Sequence, residues 1–239
     1  MSTPAQAGVA PHAARMASIA APRLAPYLAC TGGNPTRALR LYEWNIDLSA
    51  GVYGILHRFE VILRNAIDAR LCIWNATQRD RDTNRSYGSD WLLDPAPLLA
   101  RLAERAVTEA ADRAATAAAG RPNPTVGHAD VLAQTSFGTW RFLLPDTDAG
   151  RQLLWKAEIA HAFPHLPTGY SGQAVTDEVD RVYQLRNRVA HLEPLLNAGR
   201  TQRQIKAAYD VAGWIDPELR TWLTSTQRVA TLLKTRSRI

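Results

Sequence analysis

Several things are scarce in this 239-residue chain, and each scarcity excludes something. There are two cysteines, Cys30 and Cys72. That is too few for a disulfide framework or a four-thiolate zinc site, so a reducing compartment is expected. No apolar run approaches the roughly 18 residues needed to span a bilayer. The N-terminus, MSTPAQAGVAPHAARMASIAAP, lacks the early positive cluster and apolar core of a secretory signal. A cytoplasmic protein with no membrane partner is the expectation. Alternating strand patterns and internal repeats are missing too. Lysine is nearly absent: of 28 basic residues, 3 are Lys and the other 25 are Arg. The net charge of +6 permits a polyanionic partner without identifying one. Arginine bias beside heavy alanine usage also fits a GC-rich genome.

What is present is apolar enough, at 46% hydrophobic residues, to bury a substantial core. Residues 1–18, mostly Ala, Pro, Ser and Gly, read as a flexible N-terminal tail, and 19–239 as one domain. Pro22 to Ala29 reads as a short helix or turn, ended by Gly32-Gly33-Asn34-Pro35, after which Thr36 is a candidate cap. From Leu48 to Trp74, Val52, Ile55, Leu56, Phe59, Ile62, Leu63, Ala66 and Ile67 recur at the spacing of one helix face. Glu60, Arg64 and Asp68 form an i, i+4, i+8 row on the other side. Further helices are expected over 98–119, 128–144, 150–163, 176–192, 201–212 and 217–234. The fold class is therefore all-α.

Chemistry concentrates in Gln184-Leu185-Arg186-Asn187-Arg188-Val189-Ala190-His191-Leu192-Glu193-Pro194. Arg186 falls within a face shared by Val175, Val179, Val182, Val189 and Ala190. A charge there must be paired or must open onto a cleft. Asn187 and His191 are neighbours at i and i+4, and Pro194 puts His191 in the last helical turn, where the helix dipole favours a protonated imidazole. Arginine clamps a phosphate, histidine moves a proton, and an RNA 2′-hydroxyl is its own nucleophile. No metal and no cofactor are called for, in keeping with the lack of a clustered ligand set in the sequence. A structural reading stands beside this one: Arg186 paired with Glu60 or Asp180, and a satisfied histidine at a helix end. A second Arg-to-His match, Arg121 to His128, runs across Pro122, Pro124 and Gly127 and is set aside as a decoy.

Five ordered stretches bear on the choice: Pro22-Arg23-Leu24 with Tyr27-Leu28; Tyr42-Glu43-Trp44-Asn45 with Leu48-Ser49; Glu60-Val61-Ile62-Leu63-Arg64-Asn65-Ala66-Ile67; Ser136-Phe137-Gly138-Thr139-Trp140; and the 185–194 motif. Together they resemble the Abi-like proteins (abortive infection, AbiD/AbiF type) of the HEPN superfamily. One departure is Leu192, where that family often has a second histidine. The resemblance implies a HEPN-like helical bundle with additional helices. It implies a metal-independent endoribonuclease of abortive-infection or toxin type, acting in phage defence and leaving 2′,3′-cyclic phosphate and 5′-hydroxyl ends. Arg186 would then stabilise the scissile phosphate, His191 would be the general acid/base, and Asn187 would orient substrate or histidine. Glu60, Arg64 and Asn65 would support the site or serve structure alone; Glu193 would touch either substrate or the helix end. RNA is the implied substrate, a homodimer with the site at or near its interface the implied assembly, and an antitoxin or regulatory RNA the implied control. The alternative is a non-catalytic HEPN module binding RNA or protein.

Overall fold

The computed structural model describes residues 9–225 and 227–236. Those residues form α-helices and no strand, in the order α1 (Val9–Ser18), α2 (Ala21–Cys30), α3 (Pro35–Ala76), α4 (Pro97–Ala118), α5 (His128–Gln134), α6 (Phe137–Leu143), α7 (Ala149–Ala157), a 3-10 turn (Ile159–Ala162), α8 (Gly172–Ala190), α9 (Ala198–Ile215), α10 (Pro217–Ser225) and α11 (Val229–Thr235). The all-α reading therefore holds over these residues. No helix among them is long and apolar enough to cross a membrane. Residues 1–8 of the expected tail lie outside the described residues. Within the rest of that tail the chain is helical as α1, and Arg15 pairs with Glu43 on α3 at 3.1 Å.

The architecture is organised on α3, whose 42 residues run about 63 Å at 1.5 Å per residue. Its apolar stripe was legible from Leu48 onward, but the helix starts earlier. Gly32 and Gly33 turn the chain at φ of 60° and 78°, which favours glycine, and Pro35 occupies the first helical turn. Asn34, not Thr36, is the cap: its side-chain oxygen accepts from the Arg37 amide at 3.0 Å. Phe59 and Leu63 are fully buried on the same stripe, and Phe59 meets Phe137 of α6 edge-on at 5.9 Å.

Three expected helices are each divided. The stretch 150–163 splits at Glu158 into α7 and the 3-10 turn. The stretch 128–144 breaks at Thr135 and Ser136, both extended. The Thr135 hydroxyl donates to the Leu132 carbonyl at 2.7 Å and accepts from the buried Trp140 indole at 3.0 Å. Its side chain thus competes with the helical backbone bonds while satisfying a core indole. The stretch 217–234 divides into α10 and α11, and α11 folds back onto α3. Gly51 permits that approach, since a β-carbon there would lie 3.2 Å from Val229 and 3.4 Å from Leu232. The Trp44 indole then donates to the Leu232 carbonyl at 2.8 Å.

The buried face of α8, formed by Val175, Val179, Val182, Leu185 and Val189, packs against α9 and α3. Ala190, expected on that face, is exposed. Asn45, buried in α3, accepts from the Leu195 amide at 2.7 Å, so the end of α8 is held against the first third of α3.

Candidate functional site

The C-terminus of α8 is built for an abrupt stop. His191 is the C-cap residue, and its amide donates to the Asn187 carbonyl at 2.9 Å. Leu192 then takes φ of 56°, its amide donating to Val189 at 3.1 Å and the Glu193 amide to Arg188 at 2.8 Å. These are the two bonds of a Schellman ending, whose left-handed position is usually glycine. Leucine holds it here while 64% exposed, so burial does little to offset the backbone strain. The Arg23 guanidinium of α2 donates to the Leu192 carbonyl and anchors the turn.

Beside this ending lies an open cavity of about 610 Å3 between α2, α3 and α8. Arg186 and Ala190 line it from α8 and Leu192 from the turn that follows; Asn45, Tyr53, His57 and Glu60 line it from α3. Arg186 is half-buried and makes no ion pair or hydrogen bond among the described residues. The two structural partners proposed for it are otherwise placed. Asp180 is taken by Arg141 in a two-bond fork. Glu60 stays beyond ion-pair contact but within Arg186's electrostatic reach. Burial pushes the Glu60 carboxyl above the ordinary carboxylate range, against the pull of Arg186, Arg64, His57 and the Phe137 amide. Tyr27, fully buried in the cavity wall, has a hydroxyl with no hydrogen bond of ordinary geometry among the described residues. Burial, then Tyr42, push that phenol up to about 12, opposed by Arg23 and Asn45.

His191 does not line the cavity. It is exposed, between two residues that do, and so stands at the rim. Asn187 is partly buried one turn before it. Arg64 reaches the Leu132 carbonyl at 3.4 Å and bonds exposed Asn65 at 3.4 Å, bracing α3 against α5 away from the cavity. Glu193 lies 3.6 Å from Arg188, which also donates to the Pro194 carbonyl at 2.6 Å. Glu193 thus lies against the helix end with its side chain largely exposed. The structure thereby brings Arg186 and Glu60 to one cavity and sets His191 beside its edge, while Asn187, Arg64, Asn65 and Glu193 do not line it.

Sequence reasoning passed over His57, Tyr53 and Tyr27. The spacing of Tyr53, His57 and Glu60, four and three residues apart, marks one face of α3 and was the available signal. Tyr53 and His57 stack with ring centres 6.2 Å apart. The set-aside pair does separate: Arg121 bonds Asp130 at 2.6 Å, whereas His128 turns to Asp90 and Asp68. That histidine, with Asp68 and Cys72, forms a group of ligand-capable side chains that the sequence reading did not assemble. No protein family, curated protein or solved structure matches the chain.

Proposed function

We propose that the cavity beside the end of α8 is the site of an endoribonuclease of abortive-infection type, on an all-α domain of the HEPN kind. The observation that carries this reading is Arg186: a half-buried guanidinium with no ion partner among the described residues, lining an open cavity, five residues before a rim histidine. A structural arginine would be expected to close on a carboxylate. An unsatisfied one is suited to a phosphate brought by substrate.

In the proposed reaction the RNA 2′-oxygen attacks the adjacent phosphorus and the 5′-oxygen leaves. Arg186 offsets the charge that grows on the non-bridging oxygens. His191 transfers a proton, taking it from the 2′-hydroxyl or giving it to the departing 5′-oxygen. Asn187 orients substrate or histidine. The two proton transfers call for two groups, which agrees with a homodimer that brings two such sites together. The products are a 2′,3′-cyclic phosphate and a 5′-hydroxyl, and no metal takes part. Phage defence in the cytoplasm, under control of an antitoxin or regulatory RNA, completes the reading.

A specific observation favours a second reading, a non-catalytic module that binds RNA or protein in the same cavity. The cavity is walled largely by aromatic and aliphatic side chains, and His191 stays outside it. One experiment separates the two. The purified chain is incubated with RNA without added metal, and product ends are mapped. The nuclease reading expects cyclic-phosphate ends. It expects Arg186→Ala to cut the rate by about 10²–10³ and His191→Ala by about 10²–10⁴, with circular dichroism unchanged. Binding without cleavage, weakened by Arg186→Ala, supports the module. Cutting that persists undiminished in both variants refutes the nuclease assignment.

A further inference from the structure

Asp68 and Cys72 are four residues apart on one face of α3, and His128 opens α5. Their ligand atoms all lie within 4.8 Å of one another. His128 Nε2 is 3.1 Å from both oxygens of Asp68 and 3.9 Å from Cys72 Sγ. Ligands on a tetrahedral zinc ion, with bonds of about 2.0–2.3 Å, stand about 3.3–3.6 Å apart. The observed separations bracket that spacing.

The surroundings hold these three groups in ligating orientation. Asp90 Oδ1 lies 2.7 Å from His128 Nδ1 and holds the ring with Nε2 turned toward Asp68 and Cys72. The Trp91 indole donates to Asp68 Oδ1 at 2.8 Å and fixes the carboxylate beside His128. Nε2 aimed at the Asp68 carboxylate needs a positive centre between them, either the ring's own proton or a cation. A proton there would satisfy the imidazole and carboxylate but would give Cys72 Sγ no part. A cation placed among the three uses every atom that converges.

We propose that Asp68, Cys72 and His128 form a binding site for a divalent cation of the zinc class, with Asp90 as the positioning residue for the histidine. Sulfur, imidazole and carboxylate together select zinc over magnesium or calcium. The His128 side chain is 23% exposed, which opens the fourth position to water. On binding, the Cys72 thiol releases its proton to solvent and sulfur donates to the metal. The site lies eight residues beyond Glu60, about 12 Å along α3, and shares no residue with the lining of the Arg186 cavity. Its role is to pin the start of α5, and the 90–91 segment before α4, onto α3.

The test uses the full chain and two probes, Zn2+ and Co2+. Protein stripped with chelator and reloaded is expected to retain one zinc per chain after gel filtration. It is also expected to melt at a higher temperature than the stripped form. With Co2+ it should show a thiolate-to-cobalt charge-transfer band that survives Cys30→Ser and disappears in Cys72→Ser. Asp90→Asn should weaken cobalt binding about 10–100-fold. A wild-type chain with no such band overturns the proposal, whatever the variants do, as does a band that survives Cys72→Ser. Affinity unchanged in Asp90→Asn counts against the site as drawn. None of these readouts depends on RNA cleavage, so the proposal stands or falls apart from the nuclease reading.

Discussion

The strained ending of α8 makes a sharp prediction, because it reverses an ordinary ranking. At an exposed helical position, alanine is more stable than glycine by about 0.8–1 kcal/mol. At Leu192, with φ of 56°, any side chain with a β-carbon meets the left-handed penalty, roughly 1–2 kcal/mol. Glycine avoids that penalty and costs about 0.4–1 kcal/mol through the greater freedom of the unfolded chain. The remainder favours glycine, by about 0.8 kcal/mol at the middle of those ranges. Since Leu192 is 64% exposed, alanine and glycine forfeit nearly the same burial, and the comparison isolates the backbone term. Leu192→Gly should therefore be more stable than Leu192→Ala, with a melting temperature about 1–4 °C higher for a chain of this size. Ala115→Gly, at an exposed position of α4, is the control and should lose about 0.8–1 kcal/mol. Urea midpoints and thermal melts on the three variants measure both signs. If Leu192→Ala equals or exceeds Leu192→Gly while the control behaves normally, the Schellman assignment and the strain at the rim of the cavity are wrong.

Two other outcomes follow from buried polar groups. Asn75, fully buried, donates to the Gly88 and Asp94 carbonyls at 2.7 and 3.0 Å and accepts from the Ala96 amide at 2.8 Å; Asn75→Ala should cost about 3 kcal/mol in urea unfolding, because the buried Ala96 amide loses its acceptor. Glu60→Gln should stabilise the protein at neutral pH, since burial raises the Glu60 pKa in the folded state and its ionised form is the disfavoured one. A group with a raised folded pKa contributes stability below its unfolded pKa and loses it as pH rises through the folded one. The advantage of Glu60→Gln should thus shrink toward acid pH, where wild-type Glu60 is itself protonated; melting temperatures at several pH values check this, and an advantage that grows in acid contradicts it.

Helix content was largely visible along the chain because apolar spacing is a local property. The stripe from Val52 to Ile67 and the valines of α8 declare their faces whatever they pack against. Helix boundaries were less visible where a side chain arbitrates. Thr135 breaks the 128–144 stretch because a Trp140 indole, buried by tertiary packing, needs its hydroxyl. The candidate site divides the same way. Arg186, Asn187 and His191 stand out through their spacing and the proline that follows. Whether Arg186 was paired with Asp180 depended on Arg141, 39 residues before Asp180, which takes that carboxylate.

By itself the sequence determined that the chain is helical, that Arg186 sits on a largely apolar face, and that α8 must stop before Pro194. Only the tertiary structure decided that Arg186 meets an open cavity beside Glu60, that His191 stands at its rim, that Arg64 reaches the Leu132 carbonyl, and that Glu193 lies beside Arg188. It also decided that Asp68 and Cys72 converge with His128, 56 residues beyond Cys72. The physical reason is range. Periodicity and capping act over one or two helical turns, whereas the pairing of charges and ligands is set by which helices the hydrophobic core presses together.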